Sequence, residues 1–176
     1  MRNLQYVSLD EIESDKFIPI LNKASTRKHL ISHDKFDAEL AEKWVSDKLD
    51  IDDLEGCIVR AITLDDELVG WCGIQLSELG YEIAIVVDDR SWGIGKMVFR
   101  SLISWAHDFG HEVVYIHLLH TRPEYVFLRK LSQSVFQTEM IGNKFTTYEL
   151  NVADCLAGKD VVVKFNVSRH KHGKSA

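Results

Sequence analysis

The chain predicts an α+β fold: one mixed, mostly antiparallel sheet of about seven strands, with helices on both faces and a single βαβ unit. Three observations predict it. Two apolar, β-rich runs, 57–64 and 67–76, are separated only by Asp65-Asp66, which is the pattern of a hairpin. A third run, Tyr81–Val87, passes through a turn punctuated by Gly93 and Gly95 into a stretch of helical periodicity ending near Phe109. A further apolar run, 112–119, follows Gly110. Strand, helix and strand in that order imply a right-handed crossover with parallel neighbours.

The elements follow in order. Gln5–Leu9 reads as a short first strand, and residues 10–30 read as one or two short helices. Asp34 is the expected N-cap of a helix reaching about Asp50, with Phe36, Leu40, Trp44 and Leu49 on one stripe. After the hairpin, Tyr81–Val87 is expected to lie antiparallel to 67–76. Ile94, Val98, Leu102, Trp105 and Phe109 share one helical face, and Gly110 ends that helix. Residues 123–131 read as a short helix with Pro123 in its first turn. Val135–Ile141 and Lys144–Asn151, turned by Gly142-Asn143, close a main domain of residues 1–151. Residues 152–176 form an extension. Within it 160–167 is a candidate extra strand, able to pair with another copy in a homodimer, and the basic tail from Ser168 is expected to be flexible.

Composition narrows the class. A length of 176 residues suits one domain with a sizeable core. A net charge of −6 disfavours a nucleic-acid-wrapping face. Residues 1–55 carry 13 Asp+Glu against 8 Lys+Arg, either a solvated acidic face or a rim that attracts a cationic substrate. Cys57, Cys72 and Cys155 make an odd set without a CxxC pair or zinc spacing, so no metal is expected, and the two that sit in apolar strand-like runs are expected to be buried and reduced. The first residues lack the apolar stretch of a signal peptide, and no run approaches the roughly 20 apolar residues of a membrane span. A cytoplasmic protein with no membrane partner is the expectation. Trp44 and Trp105 fit core stripes, while Trp71 is either core or a wall of the acceptor site.

The segment Asp88–Lys96 carries most of the functional signal. A glycine turn between strand and helix presents free amides at a helix N-terminus, which suits phosphate or pyrophosphate. The nucleotide P-loop fails, because Arg90 stands where its first glycine is needed and Met97 where its Ser/Thr is needed. The dinucleotide fingerprint fails too, since Gly93-Ile94-Gly95 is followed by Lys96, Met97 and Val98. Residues 90–95, Arg-Ser-Trp-Gly-Ile-Gly, do satisfy Arg/Gln-x-x-Gly-x-Gly/Ala. This resembles motif A of the GNAT N-acetyltransferases. The order of elements over roughly residues 5–150 agrees with that resemblance, and 81–103 carries most of it.

The resemblance implies acetyl-CoA as cosubstrate, an N-acetyltransferase activity and a small-molecule or protein amine as acceptor. Pyrophosphate would sit on Arg90, Ser91, Trp92, Gly93, Ile94, Gly95 and Lys96, with Arg90 either touching phosphate or bracing the loop. Trp92 would cover the adenine or diphosphate edge, or pack beneath the loop. The pantetheine arm would pair with backbone groups of Ile85, Val86 and Val87 on a splayed strand, and an amide at Val86 or Val87 would assist the oxyanion. Glu82 matches the family's base, although an exposed strand-edge carboxylate fits the sequence equally. The family's tyrosine acid aligns with Leu128 instead, leaving Tyr125, one turn earlier, to supply a hydroxyl, to pack, or to form an interface. At most one of His117 and His120 is expected to reach the site. The acceptor is expected from the side of residues 20–50. The departure at Leu128 keeps a second reading open: a catalytically silent acyl-CoA-binding or interaction module.

Overall fold

The structure, a computed structural model, describes residues 1–23, 34–91 and 93–158. Trp92, part of the N-terminal helical stretch, the candidate strand at 160–167 and the tail lie outside the described residues.

Among the described residues, seven strands form one sheet in the order β1-β2-β3-β4-β5-β7-β6. In chain order they are β1 (Leu4–Val7), β2 (Ile58–Leu64), β3 (Glu67–Leu76), β4 (Tyr81–Val87), β5 (Val113–Leu119), β6 (Ser134–Met140) and β7 (Asn143–Asn151). Their helices are α1 (Ile18–Leu21), α2 (Ala38–Asp52), α3 (Gly95–Asp108) and α4 (Val126–Leu131). Short 3-10 turns precede α1 at Leu9–Glu11 and Ser14–Phe17, and residues 152–158 are helical. β4 and β5 run parallel and every other neighbouring pair is antiparallel, as the hairpin and crossover predict.

Local chemistry accounts for the main elements. Asp65 and Asp66 turn the β2–β3 hairpin with φ of 52° and 69°, the left-handed pair that a two-residue turn requires. Gly110, at φ +82°, ends α3 as expected. Gly70 is needed for a close approach: a Cβ there would lie 2.0 Å from the Val86 carbonyl oxygen, beside a register shift between Ile62 and Thr63.

Four expectations need correction. The N-cap of α2 is Asp37, whose Oδ1 accepts from the Leu40 amide at 2.8 Å, and not Asp34. Leu40 is exposed, and the buried positions of α2 are Ala41 and Val45, because the helix starts later than its apolar stripe suggests. On α3 the buried face is Val98, Phe99, Leu102, Ile103 and Ala106, whereas Phe109 at the C-cap is exposed. Finally, α4 starts at Val126, with Tyr125 extended at its N-cap and Pro123 outside. Proline disfavours helical backbone in the residue before it, and here the chain first turns out of β5 through Arg122 N donating to Leu119 O at 2.9 Å.

The sheet divides two cores. On one face α3 packs over Ile74, Ile83, Val114 and Ile116. On the other, α2 and the N-terminal turns cover Trp71, Val86, Val59 and Ala61. Strand alternation sends successive residues to opposite faces, so both layers come from the same runs. Cys57, Cys72 and Cys155 are buried free thiols.

Candidate active site

β4 and β5 pair in register at a single position, Glu82 with Tyr115. Beyond it the two strands diverge, and a cleft of about 1040 Å³ opens between them. The phase of β4 follows from its ends. Asp88 N donates to Val69 O at 2.7 Å, and Ser77 and Gly80 exchange both backbone bonds at the other end. Even-numbered residues of β4 therefore turn their peptide groups to β3, and odd-numbered ones turn theirs toward β5. Ile85 and Val87 thus face the gap with their amides and carbonyls. Val86 borders the cleft, but its peptide groups point to β3, because a strand exposes only alternate residues on each edge.

At one end of the cleft lies the motif loop. Gly93, at φ +109°, and Gly95 have open space where a Cβ would stand, so a ligand can approach the backbone there. The first intrahelical donor of α3 is Val98, to Ile94 O at 2.9 Å, and Ile94 provides no side-chain cap. The amides of Gly95, Lys96 and Met97 precede it, at the positive end of a 14-residue helix. Two residues of the expected cradle are engaged within the loop. Ser91 N donates to Asp88 O at 2.9 Å, and Ile94 N points back to Ser91 O at 3.5 Å, because Asp89–Ser91 forms a 3-10 turn. Lys96 borders the cleft with its ammonium 5.0 Å from the Phe127 ring centroid.

Arg90 braces this loop. Its Nε and Nη2 donate to Asp88 Oδ2 at 3.2 and 2.9 Å, while 79% of the side chain stays exposed. Lys23 binds Asp88 Oδ1 at 2.7 Å and also pairs with Asp89. Burial by itself would raise the Asp88 carboxyl, but hydrogen bonds from Arg90 and Lys23 hold it well below the usual carboxylate range. Asp88 is a residue that sequence reasoning missed. Its only local signal is an acid two positions before the motif arginine.

The other end of the cleft holds Glu82, His117 and Ser77. Glu82 is raised by burial, and the Lys48 ammonium opposes that shift. Lys48 extends from α2 over the Trp71 ring at 4.4 Å from its centroid and donates to Gln75 Oε1 at 2.5 Å. Burial pushes Lys48 down to about 8. His117 Nε2 stands 3.7 Å from Glu82 Oε2 and 3.3 Å from Ser77 Oγ, and its side chain is only 3% exposed. Burial also lowers His117. Helix periodicity placed Lys48 on no catalytic stripe. Only the packing of α2 across β3 brings it here.

Tyr125 and Leu128 border the same cleft, Tyr125 at the exposed N-cap of α4 and Leu128 in the core. His120 is exposed, with Nδ1 3.1 Å from the Lys144 carbonyl, and is absent from the cleft. Trp71 is both core and cleft wall. Among the described residues, no group of three or more His, Cys, Asp or Glu could hold a metal, and no helix is long and apolar enough to cross a membrane.

A strand splayed from its parallel neighbour, beside a glycine-punctuated helix N-terminus, is the arrangement that the resemblance to acetyl-CoA-dependent transferases implies. The sequence profile of the acetyltransferase (GNAT) family matches residues 16–126. The chain belongs to the GNAT acetyltransferase family. Similar solved structures agree on the fold. An N-acetyltransferase from Staphylococcus aureus Mu50 has 12% identity and a TM-score of 0.61, over 86% of this chain and 99% of that one. The yncA protein of Salmonella typhimurium, solved with its cofactor acetyl-CoA, has 13% identity and a TM-score of 0.62, over 86% and 94%. A GNAT-family acetyltransferase from Streptococcus pneumoniae has 14% identity and a TM-score of 0.58, over 86% and 100%. At such identities the likeness is one of fold alone. No curated protein matches this chain.

Proposed function

We propose that this protein transfers an acetyl group from acetyl-CoA to a primary amine, small-molecule or protein-borne, by direct attack in a ternary complex. The observation that carries the reading is the joining, in one cleft, of an open glycine turn and a half-buried carboxylate. The residues fit the cosubstrate. Gly93 and Gly95 leave their backbone open to a pyrophosphate, together with the amides of Lys96 and Met97. The peptide groups of Ile85 and Val87 would hold the pantetheine arm, and Val87 is the better placed of the two candidate oxyanion donors. Acetyl-CoA bound there supplies the activated acyl group. Glu82 takes the proton of the acceptor amine, directly or through water, and the burial that raises its pKa suits a base working near neutrality. Tyr125 is the hydroxyl nearest in the chain to the family's acid position, so it is assigned to the leaving thiolate. Buried unpaired thiols suit a cytoplasmic setting.

Glu82→Gln tests the reading. Thiol release from acetyl-CoA with an amine panel should fall about 100-fold in kcat, the usual scale of general-base loss, while CoA binding by calorimetry stays within about twofold of the parent. Unchanged turnover in that variant would sink the assignment of Glu82. The buried leucine at position 128, where the family carries its tyrosine, favours a second reading, a silent acyl-CoA-binding module. CoA binding without amine-dependent thiol release from the parent protein would support it.

A further inference from the structure

His117 of β5 is a buried imidazole at the base of the cleft, and its hydrogen bonds fix its tautomer. The Ser77 hydroxyl has one proton, which it donates to the Gly80 carbonyl at 3.0 Å. Toward His117 Nε2, at 3.3 Å, Ser77 Oγ can therefore only accept, so Nε2 carries a proton. Burial disfavours the imidazolium, which leaves Nδ1 as a lone pair. That lone pair faces Thr147 Oγ1 at 2.8 Å, and Thr147, fully buried, must donate to it. Thr147 is then left as an acceptor for Thr138 Oγ1 at 2.7 Å. One chain of donors, Thr138 to Thr147 to His117 to Ser77 to the Gly80 carbonyl, satisfies every member in a single direction.

With its lone pair held by Thr147, His117 cannot act as the base. Its one N–H, on Nε2, is donated to Ser77 Oγ at 3.3 Å and also lies 3.7 Å from Glu82 Oε2, the arrangement of a donor shared between the two. We propose that His117 is a positioning residue, a neutral imidazole whose Nε2–H orients the Glu82 carboxylate for proton abstraction from the acceptor amine. The proposal rests on the assignment of Glu82 as base. Such contacts are often long without substrate and tighten when the site closes, or a water spans them. The charged and titratable groups facing Glu82 are accounted for by element. Lys48 reaches it from α2. Gln75 stands opposite it on β3. Glu78 lies in the turn between β3 and β4, bordering the same cleft. Tyr115 stands opposite it on β5 and donates to Glu149 at 3.2 Å. Among these, His117 is the neutral side chain whose ring nitrogen lies 3.7 Å from a Glu82 carboxylate oxygen.

The test has two arms. Nitrogen-15 imidazole spectra of the unliganded protein at neutral pH should show His117 protonated at Nε2 and bare at Nδ1; an Nδ1-protonated or doubly protonated ring overturns the proposal. The second arm compares His117→Phe with His117→Gln, using acetyl-CoA and whichever of spermidine, tyramine and lysine the parent acetylates. His117→Phe should lower kcat about tenfold, within the range of a lost charge-assisted hydrogen bond. It should also move the acidic limb of the pH–rate profile upward, with the KM for acetyl-CoA little changed. His117→Gln, which keeps an N–H at similar reach, should recover most of the rate. A His117→Phe profile superimposable on the parent's, or a glutamine variant as slow as the phenylalanine one, overturns the role. If Glu82→Gln is impaired while His117→Phe is not, the positioning role alone fails. If Glu82→Gln is fully active, the base assignment falls and the proposal falls with it. Should His117→Phe not fold, the spectrum and His117→Gln decide.

Discussion

Charges in this site are set by burial against a few charged neighbours, and two residues show it. Glu82 is raised by burial and opposed by Lys48. Replacing Lys48 with methionine removes the opposing charge and keeps the stem, so the acidic limb of the pH–rate profile should move to higher pH; a limb that stays in place would contradict the coupling. Asp88 is the opposite case, since Arg90 and Lys23 overcome its burial and depress its pKa. Stabilisation from a depressed carboxyl is complete above the ordinary Asp value of about 4 and is lost as pH falls toward the folded value. Thermal melts of the parent and Asp88→Asn should therefore differ most near neutrality and converge in acid. A gap independent of pH would refute the assignment. Because Arg90 acts on the same carboxylate, Arg90→Ala and Asp88→Asn should be strongly non-additive.

Among the elements, two glycines of similar appearance in the sequence have different duties. Gly70 lies where a side chain would meet the Val86 carbonyl oxygen at 2.0 Å, so Gly70→Ala forces β3 from β4 and should cost about 3 kcal/mol in denaturant melts. Gly95 opens onto free space at the first position of α3, where alanine is a good helix former. Gly95→Ala should leave folding stability intact and weaken CoA binding in calorimetry. Equal effects of the two substitutions on stability would contradict these roles. The Asp37 cap offers a third check: Asp37→Ala should cost about 1 kcal/mol in denaturant melts.

The site depends on one topological fact, that the one parallel pair among the described strands is held at Glu82 and Tyr115 and open beyond. Its two walls come from a hairpin strand and a crossover strand, and each is held from the outside, by β3 and by β7. The opening therefore leaves both strands paired on their other edges. Ligand bound only to this native cleft must stabilise the fold by mass action, by about 2.7 kcal/mol at a hundredfold excess over Kd. CoA should raise the parent's Tm by several degrees, and Gly95→Ala should blunt the rise.

Much of this was legible in the chain because it is written in local chemistry. Asp65-Asp66 and Gly110 announce their turns, the β-rich runs announce their strands, and Arg90-x-x-Gly93-x-Gly95 announces the open turn before α3. The errors were local as well: Asp34 for Asp37, and Pro123 for a helix start at Val126, arose where several capping residues compete within a few positions. Only the tertiary structure decided which backbone groups are open and which charges meet. Alternation along β4 separates Ile85 and Val87 from Val86, and its phase is set by pairing with β3. Lys48 comes from α2, far from Glu82 in sequence, and nothing in its own neighbourhood marks it; of the two candidate histidines on β5, packing decided that His117 is the one beside Glu82. Sequence determined the elements and the open glycine turn proposed to hold the cofactor, since propensity, turn geometry and motif spacing act within a few residues. Packing determined the chemistry around Glu82, since burial and Coulomb interactions depend on distance in space and not along the chain.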